Sequence, residues 1–533
     1  MRMQFYFISI FASLLVALIT PVWPAALWLL VVIVPYILTG LFDIFFSRSN
    51  VLKNYPVIGH LRYMLEFISP EIHQYFIEGP HDGRPFNREQ RNIVYSRAQG
   101  KSSTMPFGTQ YEPLENGLEF AHHSLEPVTV SEAAFRIRVG GAQCTRPYMA
   151  SRINISAMSF GALSMNAIRA LNRGARLGGF FHNTGEGGLS PYHLEQGGDI
   201  CWQIGTGYFG CRHRDGSFDP DSFRDKALDE RVKLIELKLS QGAKPSHGGI
   251  LPGVKVTREI ADIRMVNVGE DCISPPAHSA FQGPSGLLRF IQQLRELADG
   301  KPVGFKLCIG RGDEFMGIVK AMQATGIKPD FITVDGAEGG TGAAPFEFSD
   351  SLGLPLNEGL RFVHNVLVGA GLRDDIRLIA SGKVTTGFDV LVKLALGADM
   401  VNMARPMMFA LGCIQARRCN TNTCPSGVTT QDPARGRAID VELRGEHVRN
   451  FHAQTLQSFA ELLGALGHRD PSELQASEVF RRLNSGLAVS YADYYPQLKP
   501  GQLMGQEIPP DFATDWLRAS AEYFQPPGDR PGG

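Results

Sequence analysis

Residues 331–345 read FITVDGAEGGTGAAP. Three apolar residues and a threonine close on an acid, and Gly336, Gly339, Gly340 and Gly342 follow within seven positions. A short β-branched and aromatic run bounded by a glycine-rich loop reads as a strand buried on both faces. The loop at its C-terminal end lets backbone amides approach a ligand closely. The same unit recurs along the chain. Apolar runs lie at 153–160, 179–184, 234–240, 271–274, 303–309, 331–335, 376–381 and 400–404, separated by helix-like stretches. Eight such runs in under 300 residues predict an α/β fold with a closed (β/α)8 barrel over residues 148–430. A doubly wound open sheet is the alternative, because counting runs does not prove closure. Thirty-nine of the 58 glycines fall between residues 151 and 430. They cluster after the runs, as in Gly185, Gly187 and Gly188 or Gly242, Gly248 and Gly249. Those are the strand ends on which barrel active sites are built.

Outward from the barrel the chain changes character. After Arg2 the next charge is Asp43. Residues 3–20 and 25–46 are each long and apolar enough for one membrane span, with Pro21-Val22-Trp23-Pro24 as the turn. Residues 1–46 are thus expected to form a transmembrane helical hairpin; one longer span or a cleaved signal is the alternative. Arg2 precedes it and Arg48, Lys53 and Arg62 follow, which places both ends and the catalytic body in the cytoplasm. Residues 47–147 read as a capping region of short helices and loops. Residues 431–533 read as a C-terminal helical extension, with a helix at 448–466 and a Pro/Gly tail expected to fray.

Fifty-two Lys and Arg against 53 Asp and Glu give a formal net charge of −1, which argues against a general nucleic-acid binder. Eight cysteines in 533 residues are too sparse for a disulfide scaffold. Three of them stand together, Cys413, Cys419 and Cys424 in GCIQARRCNTNTCPSG, directly after the eighth run. Three thiols followed by Pro425 suit an iron–sulfur loop. Zinc normally asks for closer pairs and a fourth ligand, and none is evident nearby. Both readings, and unliganded thiols, stay open on spacing alone.

ISAMSFGALS (155–164), NTGEGG (183–188), LKLSQGAKP (237–245), DGAEGGTGAAP (335–345) and CIQARRCNTNTCPSGV closely resemble the FMN and synthase region of glutamate synthase large subunits. The segments cover a little over half the chain, and the last is the most specific. With PVIGHLRY (56–63) and the apolar start, the layout resembles the stand-alone FMN-binding glutamate synthase family. The resemblance implies an oxidoreductase of the CH–NH2 class with bound FMN and a [3Fe-4S] cluster on Cys413, Cys419 and Cys424. It would reduce 2-iminoglutarate, formed from 2-oxoglutarate and ammonia, to glutamate, with an amine as the other possible nitrogen donor. It places Met158, Ser159, Lys238, Gln241 and Gly340 near the flavin, with Lys238 at its N1/O2 edge. The flavin phosphate would rest on Ser381, Gly382 and Lys383 and on Ala404 and Arg405, after strands seven and eight. Lys244 and Arg264 match the substrate-binding cations, and a dicarboxylate wants two. Glu186 is an acid/base candidate. Each has a plainer reading too: a snorkelling lysine, a surface arginine, a turn-capping glutamate, a packing methionine.

Departures from the family pattern follow the lysine–proline pair. Full-length members carry Gly-Glu-Gly-Gly-Gln there, where this chain has Ser246-His247-Gly248-Gly249-Ile250. The loop Gly310-Arg311-Gly312-Asp313-Glu314 is also charged differently. An apolar hairpin stands where a glutamine-hydrolysing domain would be. Ammonia is therefore expected to come free, from an amine, or from a separate amidotransferase chain. A ferredoxin-like protein is expected to donate electrons, since no pyridine-nucleotide fingerprint stands out. Competing readings are an N-substituted glutamate synthase or dehydrogenase subunit, and a membrane-anchored electron-transfer subunit without amino-acid turnover.

Overall fold

The computed structural model describes residues 1–101 and 104–525. The expected fraying of the final Pro/Gly residues, 526–533, lies outside the described residues. Two compact units are present, Met1–Glu89 and Gln90–Gly533.

The second unit is built on a closed parallel barrel. Its strands are, in order, Ile153–Ile155, His182–Asn183, Ile200–Ile204, Val232–Lys238, Val303–Leu307, Phe331–Asp335, Arg377–Ser381 and Met400–Met403. Each pairs with the next, and the eighth returns to the first through Val401 opposite Ile153. Closure decides between the barrel and the open sheet in favour of the barrel.

Seven of the eight expected runs are barrel strands, and one is not. Residues 271–274 contribute only Cys272–Ile273, which pairs antiparallel with Ile250–Leu251 outside the barrel. The true third strand is Ile200–Ile204, ICWQI. Gln203 interrupts its apolar character, and that side chain points into the barrel, where its amide meets Glu236 at 2.6 Å. Lys238 accordingly ends the fourth barrel strand, not the third. Residues between Lys238 and helix Gly283–Leu297 form a long excursion over the barrel mouth, with Arg258–Arg264 as a short helix within it.

Helices Met165–Gly178, Gly312–Thr325, Leu356–Gly369 and Gly387–Ala395 belong to the outer ring. Local chemistry sets their ends. Ser164 caps the first of these at its start, and Gly179, left-handed at φ 65°, closes it. The eighth strand is followed only by Arg405–Ala410. Helix Val441–Ala465, longer than the expected 448–466, packs along Met165–Gly178 and Gly387–Ala395 and completes the ring. The C-terminal extension is not wholly helical. Val479–Asn484 and Leu487–Ser490 form a hairpin, with Glu119–Ala121 as its third strand.

The barrel floor is apolar. Hairpin Arg136–Val139 and Tyr148–Ser151 presses Val139 and Ala150 onto Phe181, Cys201, Leu234, Phe331, Ile379 and Met400. Several of these begin their strands, so the plug sits at the N-terminal end. Above it lies a polar layer: Glu236 accepts from Asn183 at 2.8 Å, Gln203 at 2.6 Å and Thr333 at 2.6 Å.

In the first unit, Arg2–Ile19 and Pro24–Phe45 are two helical stretches long and apolar enough to cross a membrane. The second opens as a 3-10 turn, Pro24–Leu29, before helix Leu30–Phe45. Large apolar side chains such as Leu18, Val22, Trp28 and Val32 are exposed along them.

Candidate functional site

The C-terminal strand ends surround an open cleft lined by Glu186, Thr206, Lys238, Gln241, His247 and Pro275 among others. Lys238 ends the fourth strand and turns into the mouth, not into the helix layer. Its Nζ donates to Glu186 Oε1 at 2.7 Å and to Gln241 Oε1 at 2.5 Å. Glu186 fits there because its neighbours are small. A Cβ on Gly249 would lie 2.2 Å from Glu186 Oε1.

Lys244 lies on the loop beyond the fourth strand. Gly242 lets that loop press onto the sixth: a Cβ at 242 would sit 1.6 Å from the Gly336 carbonyl oxygen. The Gly242 amide donates to Asp335 Oδ2 at 2.8 Å, and Lys306 holds the same oxygen at 3.4 Å. Lys244 is 2% exposed, and its ammonium has no hydrogen-bond or ion-pair partner among the described residues. Burial pushes it down to about 8, against the pull of Glu186 and with a further push from Lys238.

Arg264 ends the short helix of the excursion and is buried. One guanidinium nitrogen donates to the Phe160 carbonyl at 3.1 Å and Ser159 Oγ at 3.3 Å. The guanidinium also lies over Phe209, 5.4 Å from the ring centre, and its buried Nε has no partner. A surface charge would show none of this. Burial alone would raise the Glu186 carboxyl, but Lys238, Lys244 and Arg264 together hold it below its ordinary value. Lys238 thus pairs with this carboxylate directly, and Lys244 and Arg264 act on it through space.

Around the rim, Met158 and Ser159 follow the first strand, and the Met158 amide donates to the Asn183 carbonyl at 3.3 Å. Gln241 also reaches Thr341 Oγ1 at 3.4 Å, beside Gly340. Strands seven and eight pair through Ser381 and Asn402, which brings Ser381-Gly382-Lys383 beside Ala404-Arg405. Lys383 is left-handed at φ 46°, unusual for a residue with a side chain. Arg405 donates to the Glu338 carbonyl at 2.6 Å, and burial brings it down to about 10 despite Asp335 and Glu338. A hydroxyl, a lysine and an arginine on adjacent loops form a donor set that fits a phosphate dianion. The helix after strand eight is only six residues long, so its N-terminus adds less than expected.

Cys413, Cys419 and Cys424 lie near one another: burial pushes the Cys413 and Cys419 thiols up, and neighbouring thiolates of the loop push them up further. Among the described residues no three His, Cys, Asp or Glu side chains converge to hold a single metal ion. Three thiolates on one zinc would sit about 4 Å apart, given Zn–S bonds of about 2.3 Å. A three-iron cluster takes one thiolate per iron, so its ligands need no common point. Two features fit the cluster. Gln415, Arg417 and Asn422 are all left-handed, at φ 59°, 53° and 62°, which concentrates backbone strain in this loop. The buried Thr429 hydroxyl, facing Cys419 and Cys424, lacks a hydrogen bond of ordinary length.

One residue beside this loop escaped the sequence reading. Lys255 is 1% exposed, and its Nζ donates to the carbonyls of Ala162 at 2.7 Å, Cys419 at 3.1 Å and Thr429 at 3.1 Å. Burial brings it down to about 8, while Cys419 and Cys424 pull it up. A lysine between Val254 and Val256 was the available signal.

A profile of the conserved region in glutamate synthase matches residues 88–469. The glutamate synthase large subunit-like protein YerD of Bacillus subtilis is 38% identical, over 83% of this chain and 92% of that protein. The archaeal glutamate synthase [NADPH] of Methanocaldococcus jannaschii is 33% identical, over 67% of this chain and 66% of that one. The glutamate synthase [NADH] of Saccharomyces cerevisiae is 31% identical over 68% of this chain, which spans only 16% of the yeast protein. On the extent of the profile match and the likeness to YerD, the chain belongs to the glutamate synthase family.

Proposed function

We propose that this chain is a glutamate-synthase-type oxidoreductase that forms glutamate from 2-oxoglutarate and ammonia, or an N-substituted glutamate where an amine takes the place of ammonia. The observation that carries this reading is the pair Lys238–Glu186 at 2.7 Å, with the buried Lys244 and Arg264 on loops of the same barrel end. Such a mouth has a cation to spare for each end of a dicarboxylate. Condensation of 2-oxoglutarate with ammonia releases water and gives 2-iminoglutarate. Two electrons and two protons then complete glutamate.

When bound, FMN would supply the hydride and a [3Fe-4S] cluster would relay single electrons to it. FMN would be held by Ser381, Gly382, Lys383, Ala404 and Arg405 at its phosphate, and by Met158, Ser159, Gln241 and Gly340 around its ring. Lys238 would set its charge on the N1/O2 edge, where a cation stabilises the reduced form. Cys413, Cys419 and Cys424 would carry the cluster. Lys244 would bind one substrate carboxylate, since a buried ammonium without a partner gains most from an incoming anion. Arg264 would take the other. Glu186, kept ionised by its cations, can accept a proton from the incoming amine and holds Lys238 in place.

The two apolar helices support membrane anchoring with the barrel in the cytoplasm. Two relatives are named for NADPH and NADH, so a pyridine nucleotide and a ferredoxin-like protein both merit trial as donor. Anaerobically purified protein should show flavin absorption and, when oxidised, a three-iron paramagnetic signal. A colourless protein containing zinc would end the proposal.

A further inference from the structure

Lys255 plays no part in the barrel mouth, yet it is among the most deeply buried charges in the chain. Among the described residues it has no carboxylate partner: its hydrogen bonds go to the backbone carbonyls of Ala162, Cys419 and Thr429. Three carbonyl dipoles satisfy its donors and leave its charge unneutralised. The groups placed to feel that charge are the thiols of Cys419 and Cys424. Its position is equally specific. Ala162 lies on the loop that leaves the first strand through Ser159, at the mouth. Cys419 and Thr429 lie on the cysteine loop. One ammonium thus pins the two loops that electrons would have to cross.

We propose that Lys255 is a positioning residue that raises the reduction potential of an iron–sulfur cluster on Cys413, Cys419 and Cys424. The inference rests on the cluster assignment above. A three-iron cluster becomes more negative by one charge on reduction. A fixed cation within a dry loop stabilises the reduced form more than the oxidised one. Held by three carbonyls, the ammonium cannot swing away to solvent. The cluster can therefore accept an electron from a weaker donor than it otherwise could. Thr429, whose hydroxyl faces the same thiols, adds a donor of the same sense.

The test is a redox titration of the full-length protein followed by the paramagnetic signal of its oxidised cluster. Lys255→Gln removes the charge and keeps a donor; Lys255→Arg keeps the charge. In Lys255→Gln the oxidised-to-reduced ratio at fixed potential should rise tenfold or more, a fall of about 59 mV for a one-electron couple. Lys255→Arg should stay much closer to the unaltered protein. Iron and sulfide content should match in all three. If Lys255→Gln holds its cluster with an unchanged potential, the tuning role is wrong. If it folds by circular dichroism but loses its iron, Lys255 is a scaffold and the proposal also fails. Absence of any three-iron signal from the unaltered protein would instead overturn the cluster assignment itself.

Discussion

The two ends of one barrel are built from the same alternating strand positions and show opposite chemistry. At the floor, Leu234, Phe331, Ile379 and Met400 meet the hairpin plug in an apolar core without a charge. At the mouth, two strand positions above Glu236, Lys238 pairs with Glu186, and the buried Lys244 and Arg264 act on the same carboxylate. Floor packing gains free energy from burial, about 1.5–3 kcal/mol per large side chain. The mouth gives up stability to hold an ammonium with no partner. A fold that tolerates this keeps it for a ligand that supplies the missing charge.

That contrast can be broken by substitutions of opposite sign. The largest effect is expected at the floor. Phe331→Ala should lower stability by about 3–5 kcal/mol, read as an earlier thermal unfolding transition. Glutamate formation per folded molecule should stay the same. A large drop in turnover at unchanged stability would show that floor and mouth are not separable.

Next in size is Lys244→Met. Loss of a charge-assisted contact costs about 2–4 kcal/mol in transition-state binding, roughly 30- to 1000-fold in kcat/KM for 2-oxoglutarate. Stability should hold or rise, because a buried cation without a partner is gone. Destabilisation comparable to Phe331→Ala would mean that Lys244 is structural.

The smallest effect is a pH dependence. Lys244 sits at about 8, below the ordinary lysine value of 10.5. A base depressed in the folded state binds fewer protons there than in the unfolded chain between those two values. Stability from this group should therefore rise as pH climbs from about 8 toward 10.5. Dicarboxylate binding should weaken over the same climb, since a neutral amine offers no charge. Lys244→Arg should flatten the binding profile up to pH 10. A profile that is already flat in the unaltered protein would remove Lys244 from carboxylate binding.

Much of this was legible in residue order, and the failures have physical causes. Strands such as Phe331–Asp335, buried on both faces, announce themselves by a short run rich in apolar residues that closes on a glycine-rich loop. Ile200–Ile204 has the same character, with Gln203 in the polar layer around Glu236 as Thr333 is, and was missed all the same. Residues 271–274 looked like a barrel strand, yet they pair with Ile250–Leu251 in the excursion over the mouth. Local pattern cannot tell a barrel strand from a two-residue pairing of the same apolar character. The site behaved similarly. Glu186 and Lys244 stand in glycine-rich loops and Lys238 at a strand end, and the structure brings Lys238 and Glu186 together. Arg264 looked like a surface charge until the excursion folded it under Phe160 and over Phe209. Lys255 acquires meaning only where three distant carbonyls meet it.

The central claim is that the charged mouth exists to bind a dicarboxylate for reduction. It is tested most directly by a single turnover of flavin-loaded, pre-reduced protein with 2-oxoglutarate and ammonia, measuring glutamate formed. The unaltered protein should yield glutamate in proportion to its reduced flavin. Lys244→Met/Arg264→Met should yield none on that timescale while keeping its flavin and its fold. Undiminished glutamate from the double variant would contradict the account.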